Sequence, residues 1–177
     1  MHEQDHLLTR RAAAWDSPWV RRVLPPVEEA AEHTKLWWAA ATVMAATGGW
    51  RGRRAAAAGI GGMAVAEVLS NTVMKKLVER RRPPKEWIPH DDVEDRPDSS
   101  SFPSGHTAAA VAFSAAAAPV WPPAAAACAV PALLVGIERV HSGAHYPSDV
   151  AAGAALGLAS AALVHAVPRL LLRRWLR

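Results

Sequence analysis

The sequence predicts an all-α, integral-membrane helical bundle with about five transmembrane helices and an N-terminal interfacial segment. Of the 177 residues, 51% are hydrophobic and only 20% are charged. The apolar residues also collect into long charge-free stretches, and residues 107–137 contain no charge over 31 positions. Because a helix of a soluble protein normally shows a charged face to water, these stretches favour membrane spans.

The N-terminal segment covers residues 1–35, and the membrane domain covers residues 36–177. Residues 4–24 mix arginines with tryptophans, which is typical of an amphipathic helix on the bilayer surface; a loosely ordered tail is the other interpretation. We expect Pro25 and Pro26 to end this region, because proline interrupts a helix. Residues 1–30 have no continuous apolar stretch of the kind found in a cleaved signal peptide, so we expect internal segments to insert.

The five apolar helices follow in order. They are predicted at residues 36–50, at 55–74, twice within 107–137, and at 150–168. Trp37, Trp38 and Trp50 stand at the ends of the first, as interfacial aromatics would. Residues 51–54 are read as a short basic turn. Because a span needs ~20 apolar residues to cross a ~30 Å core, the shorter helices must borrow flanking residues.

Proline divides the longest apolar stretch. Pro119, Pro122 and Pro123 lie near its middle, and proline ends a helix or begins the next one. We therefore predict two helices joined by a tight turn. Residues 86–98 hold six carboxylates and are read as a solvated loop, or as a segment that gates substrate entry or pairs with Arg80 and Arg81.

Polar residues gather at the ends of these helices, beginning with Lys75 and Arg82. The two are seven positions apart and share a helix face if the second helix continues for two turns. A lysine point charge and a planar arginine fork together suit a phosphate. An ordinary basic membrane flank would show the same pair.

A second cluster, residues 103–106, precedes the third apolar helix. Ser104 is a good N-cap, and Gly105 lets backbone amides approach an anion closely. Since a helix N-terminus is a ready anion site, His106 would stand beside a bound phosphoryl group. A simple capped helix start is the alternative.

The third cluster consists of Arg139, His145 and Asp149. A carboxylate can hold one imidazole nitrogen and leave the other free as a nucleophile or base. In an up-down bundle all three clusters lie on one membrane face, where their cations and histidines would converge. His141 and His145 have a zinc-pair spacing, but Gly143 and Pro147 argue against a helix there, so we predict no metal site.

These clusters resemble the signature of the type-2 phosphatidic acid phosphatase superfamily, in its membrane lipid phosphate phosphatase branch. The family pattern reads K-x6-RP, then PSGH, then SR-x5-H-x3-D. The matching residues are Lys75, Arg82, Pro83, Pro103, Ser104, Gly105, His106, Arg139, His145 and Asp149. Glu138 departs from it, because the family usually has serine there. A carboxylate would repel phosphate unless it points away or pairs with a cation.

The resemblance implies hydrolysis of a phosphate monoester or diphosphate on a membrane lipid, without a metal or another cofactor. His145 would attack phosphorus to form a phosphohistidine, Asp149 would orient His145, and His106 would protonate the leaving oxygen. The phosphate-binding residues would be Lys75, Arg82, Ser104, Gly105 and Arg139. The alternative is a non-catalytic phosphatase-like membrane scaffold or lipid-binding protein. A vanadate-dependent peroxidase fits poorly, because those relatives are soluble and much larger.

The implied partners are membrane lipids and a lipid phosphate: phosphatidic acid, phosphatidylglycerol phosphate, or a polyprenyl phosphate or diphosphate. Nucleic acid is not expected, because the arginines flank apolar runs rather than alternating with exposed aromatics. We expect a multi-pass protein of the cell membrane. The dense positive charge of residues 51–54 and of the C-terminus favours a cytoplasmic location for that end, and hence an extracytoplasmic active site.

Overall fold

The computed structural model describes residues 2–89 and 99–175, and the side chains of residues 3–89 and 99–167. Its helices are α1 (His2–Ala13), α2 (Pro18–Ala31), α3 (Lys35–Thr47), α4 (Gly49–Val68), α5 (Lys75–Leu77), α6 (Gly105–Ala117), α7 (Pro122–His141) and α8 (Pro147–Trp175). A π-helical turn, Leu69–Met74, joins α4 to α5, so one rod runs over Gly49–Leu77. The described residues contain helices and no strands, and the predicted all-α class is confirmed.

Helix α6 is the centre of the bundle and packs against α4, α7 and α8. Most of its alanines are buried, and Ala108 and Ala112 expose none of their surface. Glycines face it from both neighbours: a Cβ on Gly157 of α8 would lie 2.6 Å from the Ala108 carbonyl oxygen, and one on Gly62 of α4 would lie 2.8 Å from that of Ala112. Small residues therefore let these backbones approach closely, as in membrane bundles.

Three helices of the described chain are long and apolar enough to cross a membrane: Gly49–Leu77, Pro122–His141 and Pro147–Val167. Helices α3 and α6 have 13 residues each, which gives a length of roughly 20 Å at 1.5 Å per residue. The apolar helices form an integral-membrane bundle, whereas the number of five spans stays a prediction.

Proline and glycine set the helix boundaries largely as predicted. Pro122 starts α7, so residues 107–137 do divide into two helices. The second apolar helix begins earlier than expected, at Gly49, whose φ of 54° marks the turn directly after Gly48, the C-cap of α3. Residues 51–54 therefore lie in the first part of helix α4 and do not form a connecting turn, because the glycine pair before them already reverses the chain.

One predicted interfacial aromatic is instead part of the core. Trp37 is 1% exposed and packs against Phe113 of α6, with ring centroids 5.5 Å apart. Trp38 and Trp50 are exposed. The core position of Trp37 follows from the direction in which it leaves α3, since neighbouring residues on a helix point about 100° apart.

The N-terminal segment is ordered and packs on the bundle, so the loose-tail interpretation is wrong. Helix α1 ends at Ala13, and α2 starts anew at Pro18, with the Ser17 side chain accepting a hydrogen bond from the Val20 amide. Helix α2 also passes through Pro25 and Pro26 to Ala31. The expected stop at the prolines was wrong because α2 packs against α7, and this burial outweighs the lost backbone hydrogen bonds.

Candidate active site

A cavity of about 530 Å³ opens at the end of the bundle where α5 ends and α6 begins. Six of the eight predicted site residues line it: Lys75, Arg82, Gly105, His106, Arg139 and His145. The other two, Ser104 and Asp149, are fully buried and lie outside its lining. The structure thus brings residues from three distant stretches of the chain to one cavity.

His145 lies in the turn between α7 and α8 and is 4% exposed. Its Nδ1 is 2.6 Å from the carbonyl oxygen of Ser101. Since a carbonyl only accepts, Nδ1 carries the proton, and Nε2 is the unprotonated nitrogen. Nε2 lies 3.5 Å from the guanidinium of Arg82. This arrangement leaves a ring lone pair beside a cation of the cavity.

Burial and the nearby charge of Arg82 lower the pKa of His145 well below its usual value. Both causes act against the charged imidazolium, the first by removing water and the second by like-charge repulsion. His145 is therefore neutral at pH 7, which is the form a nucleophile needs.

Asp149 is close to His145 without a hydrogen bond to it. Its Oδ2 lies 3.9 Å from His145 Nδ1, beyond hydrogen-bonding distance. Instead Asp149 Oδ2 accepts a hydrogen bond of 2.9 Å from the Tyr146 amide, and Asp149 Oδ1 accepts one of 2.5 Å from Arg80. The carbonyl of Ser101 accepts the hydrogen bond from His145 Nδ1, a role that the resemblance implied for Asp149.

Arg82 lines the cavity from the segment after α5, whereas it was expected to lie on the helix itself. Helix α5 ends at Leu77, and the backbone of the next residue, Val78, is extended. Arg82 donates to the carbonyl of Ala144 at 2.8 Å and to that of Ser99 at 3.2 Å. The returning chain thus places Arg82 beside Lys75 in the cavity, although the two do not share a helix face.

Arg139, 9% exposed, is bound to two carboxylates. Its Nη2 lies 2.5 Å from the Glu28 carboxylate of α2, and its Nε donates to Glu138. Glu138 is buried and lines a separate cavity between α2 and α7. The residue that departs from the family pattern is therefore paired with a cation and lies outside the lining of the cavity that contains Lys75 and His145.

Residues 104–106 begin α6 as predicted. The Ser104 hydroxyl accepts a bond from the Thr107 amide at 3.4 Å and is bonded to the Thr107 hydroxyl at 2.9 Å. Its side chain thus caps the helix, while Gly105 and His106 line the cavity. The positive end of the α6 dipole points at the same place, which favours an anion there.

The N-terminal segment supplies the opposite wall of the cavity. Glu28, Glu29, Glu32, His33 and Thr34 line it. His33 and Thr34 have φ values of 51° and 59°, a left-handed conformation that non-glycine residues adopt at a cost. Sequence reasoning had set this segment apart from the site. Glu67 and Asn71 of the Gly49–Leu77 rod also line the cavity.

Arg80 and Asp5 are the functional candidates that sequence reasoning missed. Arg80 pairs with Asp5 of α1 and with Asp149. The loop carboxylates from Asp91 to Asp98 lie outside the described residues. Within the described ranges, no group of three His, Cys, Asp or Glu side chains could hold a metal ion, and His141 Nε2 lies 3.1 Å from the Trp15 carbonyl.

Comparison with protein families finds that the model of the PAP2 superfamily matches residues 55–173. A decaprenylphosphoryl-5-phosphoribose phosphatase of Mycobacterium tuberculosis is 38% identical over 109 residues, covering 60% of this chain and 57% of that protein. A lipid A 1-phosphatase of Rhizobium etli is 51% identical over 57 residues, covering 32% of this chain and 25% of that protein. The chain thus covers from a quarter to just over half of these relatives.

Two solved structures share the fold. A transmembrane PAP2-type phosphatidylglycerolphosphate phosphatase from Bacillus subtilis superposes with a TM-score of 0.70 at 22% identity, covering 95% of this chain and 86% of that one. LpxE of Aquifex aeolicus gives 0.69 at 20% identity, covering 89% and 92%. At these identities the likeness concerns the fold.

Proposed function

This chain belongs to the PAP2 superfamily, and from that premise we propose that it hydrolyses a phosphate ester on a membrane lipid through a phosphohistidine intermediate. The observation that carries the proposal is the neutral His145 in a cavity with Lys75, Arg82 and Arg139. Phosphoryl transfer needs positioned cations and a positioned nucleophile more than it needs covalent chemistry from the protein. The cavity combines both.

In the first step, the Nε2 lone pair of His145 attacks phosphorus and the bond from phosphorus to the lipid oxygen breaks. The Nδ1 proton, held by the Ser101 carbonyl, keeps the ring in the tautomer that this attack requires. His106 gives its proton to the leaving lipid oxygen. A bound phosphoryl dianion favours the protonated form of His106.

In the second step, water attacks the phosphohistidine and its proton passes to His106. The phosphorus–nitrogen bond breaks, inorganic phosphate leaves, and His145 is neutral again. Lys75, Arg82, Arg139 and the Gly105 amide stabilise the phosphoryl oxygens throughout, as an oxyanion site does. We assign Asp149 an indirect part, in which its charge stabilises the cationic His145 ring from 3.9 Å.

The substrate is proposed as a lipid phosphate because the cavity lies at the end of an apolar helical bundle. Named relatives act on decaprenylphosphoryl-5-phosphoribose and lipid A, and a structural neighbour on phosphatidylglycerol phosphate. For this chain, phosphatidic acid, phosphatidylglycerol phosphate and polyprenyl phosphate or diphosphate form the test panel. No step in the proposed mechanism uses a metal or cofactor.

The test is phosphate release from that panel by the detergent-purified protein, with EDTA present, for wild type and His145→Ala. Release by wild type that is lost in His145→Ala and indifferent to EDTA supports the mechanism. His165→Ala is the control, because His165 contacts the Ala116 carbonyl in α6 and lies away from the cavity. Loss of activity with EDTA contradicts the metal-free mechanism, and no release by the folded protein favours a non-catalytic membrane scaffold.

We further propose a multi-pass arrangement in the cell membrane with the cavity on the extracytoplasmic side. Arg51, Arg53 and Arg54 lie at the start of the Gly49–Leu77 rod, whereas Lys75 of the cavity lies near its end. Positive charge favours the cytoplasmic side. A membrane-impermeant thiol reagent should label Glu3→Cys in intact cells, in a Cys128→Ala background, and labelling only after lysis contradicts this orientation.

A further inference from the structure

Asp5, on the first helix, accepts two hydrogen bonds from the turn that carries the site and a third from Arg80. Its Oδ1 accepts from the Ser148 amide at 3.1 Å, and its Oδ2 accepts from the Ser148 hydroxyl at 2.6 Å. Oδ2 also accepts from the Arg80 guanidinium at 2.9 Å. The carboxylate is only 6% exposed, so these bonds replace the water that it lost.

Arg80 continues the hydrogen-bonded network from Asp5 to Asp149. Arg80 donates to the Ser148 hydroxyl at 2.7 Å and to Asp149 Oδ1 at 2.5 Å. Asp149 in turn accepts from the Tyr146 amide, at the residue following His145. One connected set of charged and polar groups thus runs from α1 to the turn that holds the nucleophile.

Asp5 is ionised in this setting. Burial alone would raise the pKa of its carboxyl, but the hydrogen bonds from Ser148 and Arg80 outweigh burial and hold the pKa below its usual value. A charge-assisted network of this kind is stronger than one of neutral partners. It is also costly to leave incomplete, because a buried charge without its partner loses solvation without compensation.

Aromatic contacts hold α1 in the same place. The His6 ring stacks on Tyr146 with centroids 5.6 Å apart and meets Trp87 at 5.0 Å. The Arg80 guanidinium lies over the same Tyr146 ring, 4.2 Å from its centroid. Helix α1 is therefore held against the turn by His6 as well as by Asp5.

We propose that Asp5 is a positioning residue for the reaction proposed above. Through Arg80 and Ser148 it fixes Asp149 and the 144–149 turn, and so sets the placement of the His145 ring. This inference rests on the proposed function. It assigns a role to a helix that precedes residues 55–173, the stretch matched by the family model.

The geometry separates this role from phosphate binding. Asp5, Arg80 and Ser148 do not line the cavity that holds the predicted phosphate-binding cations. A change at Asp5 should therefore lower kcat and leave KM nearly unchanged. It should also leave inhibition by inorganic phosphate nearly unchanged, because Lys75, Arg82 and Arg139, the cations that line the cavity, lie outside the 144–149 turn.

The test compares Asp5→Asn with Glu3→Gln and wild type in detergent. Asparagine keeps the shape of Asp5 but points an NH₂ group at donors, which costs at least one hydrogen bond to a charged group. We expect kcat to fall on the order of tenfold or more, with the Ki of inorganic phosphate within about twofold of wild type. Glu3 is the matched control, since it is an exposed acid in the same helical turn.

Amide hydrogen exchange supplies a readout that does not depend on activity. The Ser148 amide donates to Asp5, so exchange in residues 142–150 should accelerate in Asp5→Asn and stay as in wild type in Glu3→Gln. Exchange in α4, α6 and the start of α7 should not change. Faster exchange throughout the bundle, with a wild-type kcat per folded molecule, would show that Asp5 only stabilises the fold and would overturn the proposal.

The proposal also fails if Asp5→Asn keeps kcat within about twofold of wild type, or if KM and the phosphate Ki change as much as kcat does. Failure of the proposed function looks different, since wild type itself would then release no phosphate, or His145→Ala would release as much. In that case the exchange measurement still decides the structural link: unchanged exchange at 142–150 in Asp5→Asn overturns it.

Discussion

Glu28 should weaken phosphate binding, and its removal should strengthen it. The Glu28 carboxylate lies 2.5 Å from the Arg139 guanidinium and lines the cavity in which phosphate is proposed to bind. A phosphoryl oxygen that approaches Arg139 meets a carboxylate already bound to it. Glu28→Gln removes the negative charge and keeps the length of the side chain.

The size of the effect follows from the exposure of the pair. Two unit charges ~4 Å apart attract by about 4 kcal/mol at an effective dielectric constant of ~20. The Glu28 side chain is 36% exposed, whereas that of Arg139 is 11% exposed, so water screens the pair. Exposed pairs contribute about 1 kcal/mol or less. Displacing Glu28 should therefore cost the phosphate about 1 kcal/mol, which is roughly a fivefold change in affinity.

The assay is the Ki of inorganic phosphate as a competitive inhibitor of lipid phosphate hydrolysis, supplemented by KM. We expect Glu28→Gln to lower both about fivefold at low ionic strength, and less in high salt. Glu29→Gln is the matched control: Glu29 lines the same cavity and is exposed. An unchanged or higher Ki in Glu28→Gln would mean that Glu28 holds Arg139 in place rather than competing for it, and would refute the reasoning.

Three further predictions concern the nucleophile, a cation and the packing. The lowered pKa of His145 means that its neutral fraction falls only below about pH 6.5, so the acid limb of kcat/KM, where His145 becomes protonated, should have its midpoint below about 6.5; an acid-limb midpoint at or above about 6.5 contradicts this. Arg82→Lys keeps the charge but loses the fork that holds two carbonyls, so kcat/KM should fall roughly tenfold or more in steady-state assays. Gly157→Ala places a Cβ 2.6 Å from the Ala108 carbonyl oxygen and should destabilise the bundle by about 1–3 kcal/mol in detergent unfolding. The Gly61→Ala control, with its Cβ 3.6 Å from Val164, should unfold like wild type or later.

Much of the apolar bundle could be predicted because its signals are local. The prolines at 119, 122 and 123 divide the charge-free stretch into two helices, and α6 and α7 begin at Gly105 and Pro122 accordingly. The placement of Lys75, Arg139 and His145 in one cavity also followed, since consecutive helices alternate in direction. Local patterns and up-down topology were enough for these features.

The helix ends near the N-terminus could not be predicted in the same way. Pro25 and Pro26 carry a strong local signal to stop, yet α2 continues to Ala31 because Val20, Leu24 and Ala31 are buried. Tertiary burial competes with local propensity, and its outcome depends on which surface lies opposite. The sequence of α2 alone does not contain that surface.

Partners of the site that are distant in sequence were missed for a related reason. Asp5 meets Ser148 across 143 positions, and Glu28 meets Arg139 across 111. In the sequence, an acidic residue that pairs with a distant part of the chain has no pattern that distinguishes it from an acidic residue that is merely solvated. The Ser101 carbonyl that orients His145 is harder still, because every residue has a backbone acceptor and the side chain gives no signal.

The N-terminal segment acts on the site at two separate points, and their effects should be independent. Glu28 of α2 competes for a cation of the cavity, so it bears on phosphate affinity, while Asp5 of α1 lies outside the cavity and bears on the turn that holds His145. Neither residue belongs to the motifs by which the family is recognised. Two chains with identical motifs can therefore differ in KM through α2 and in kcat through α1.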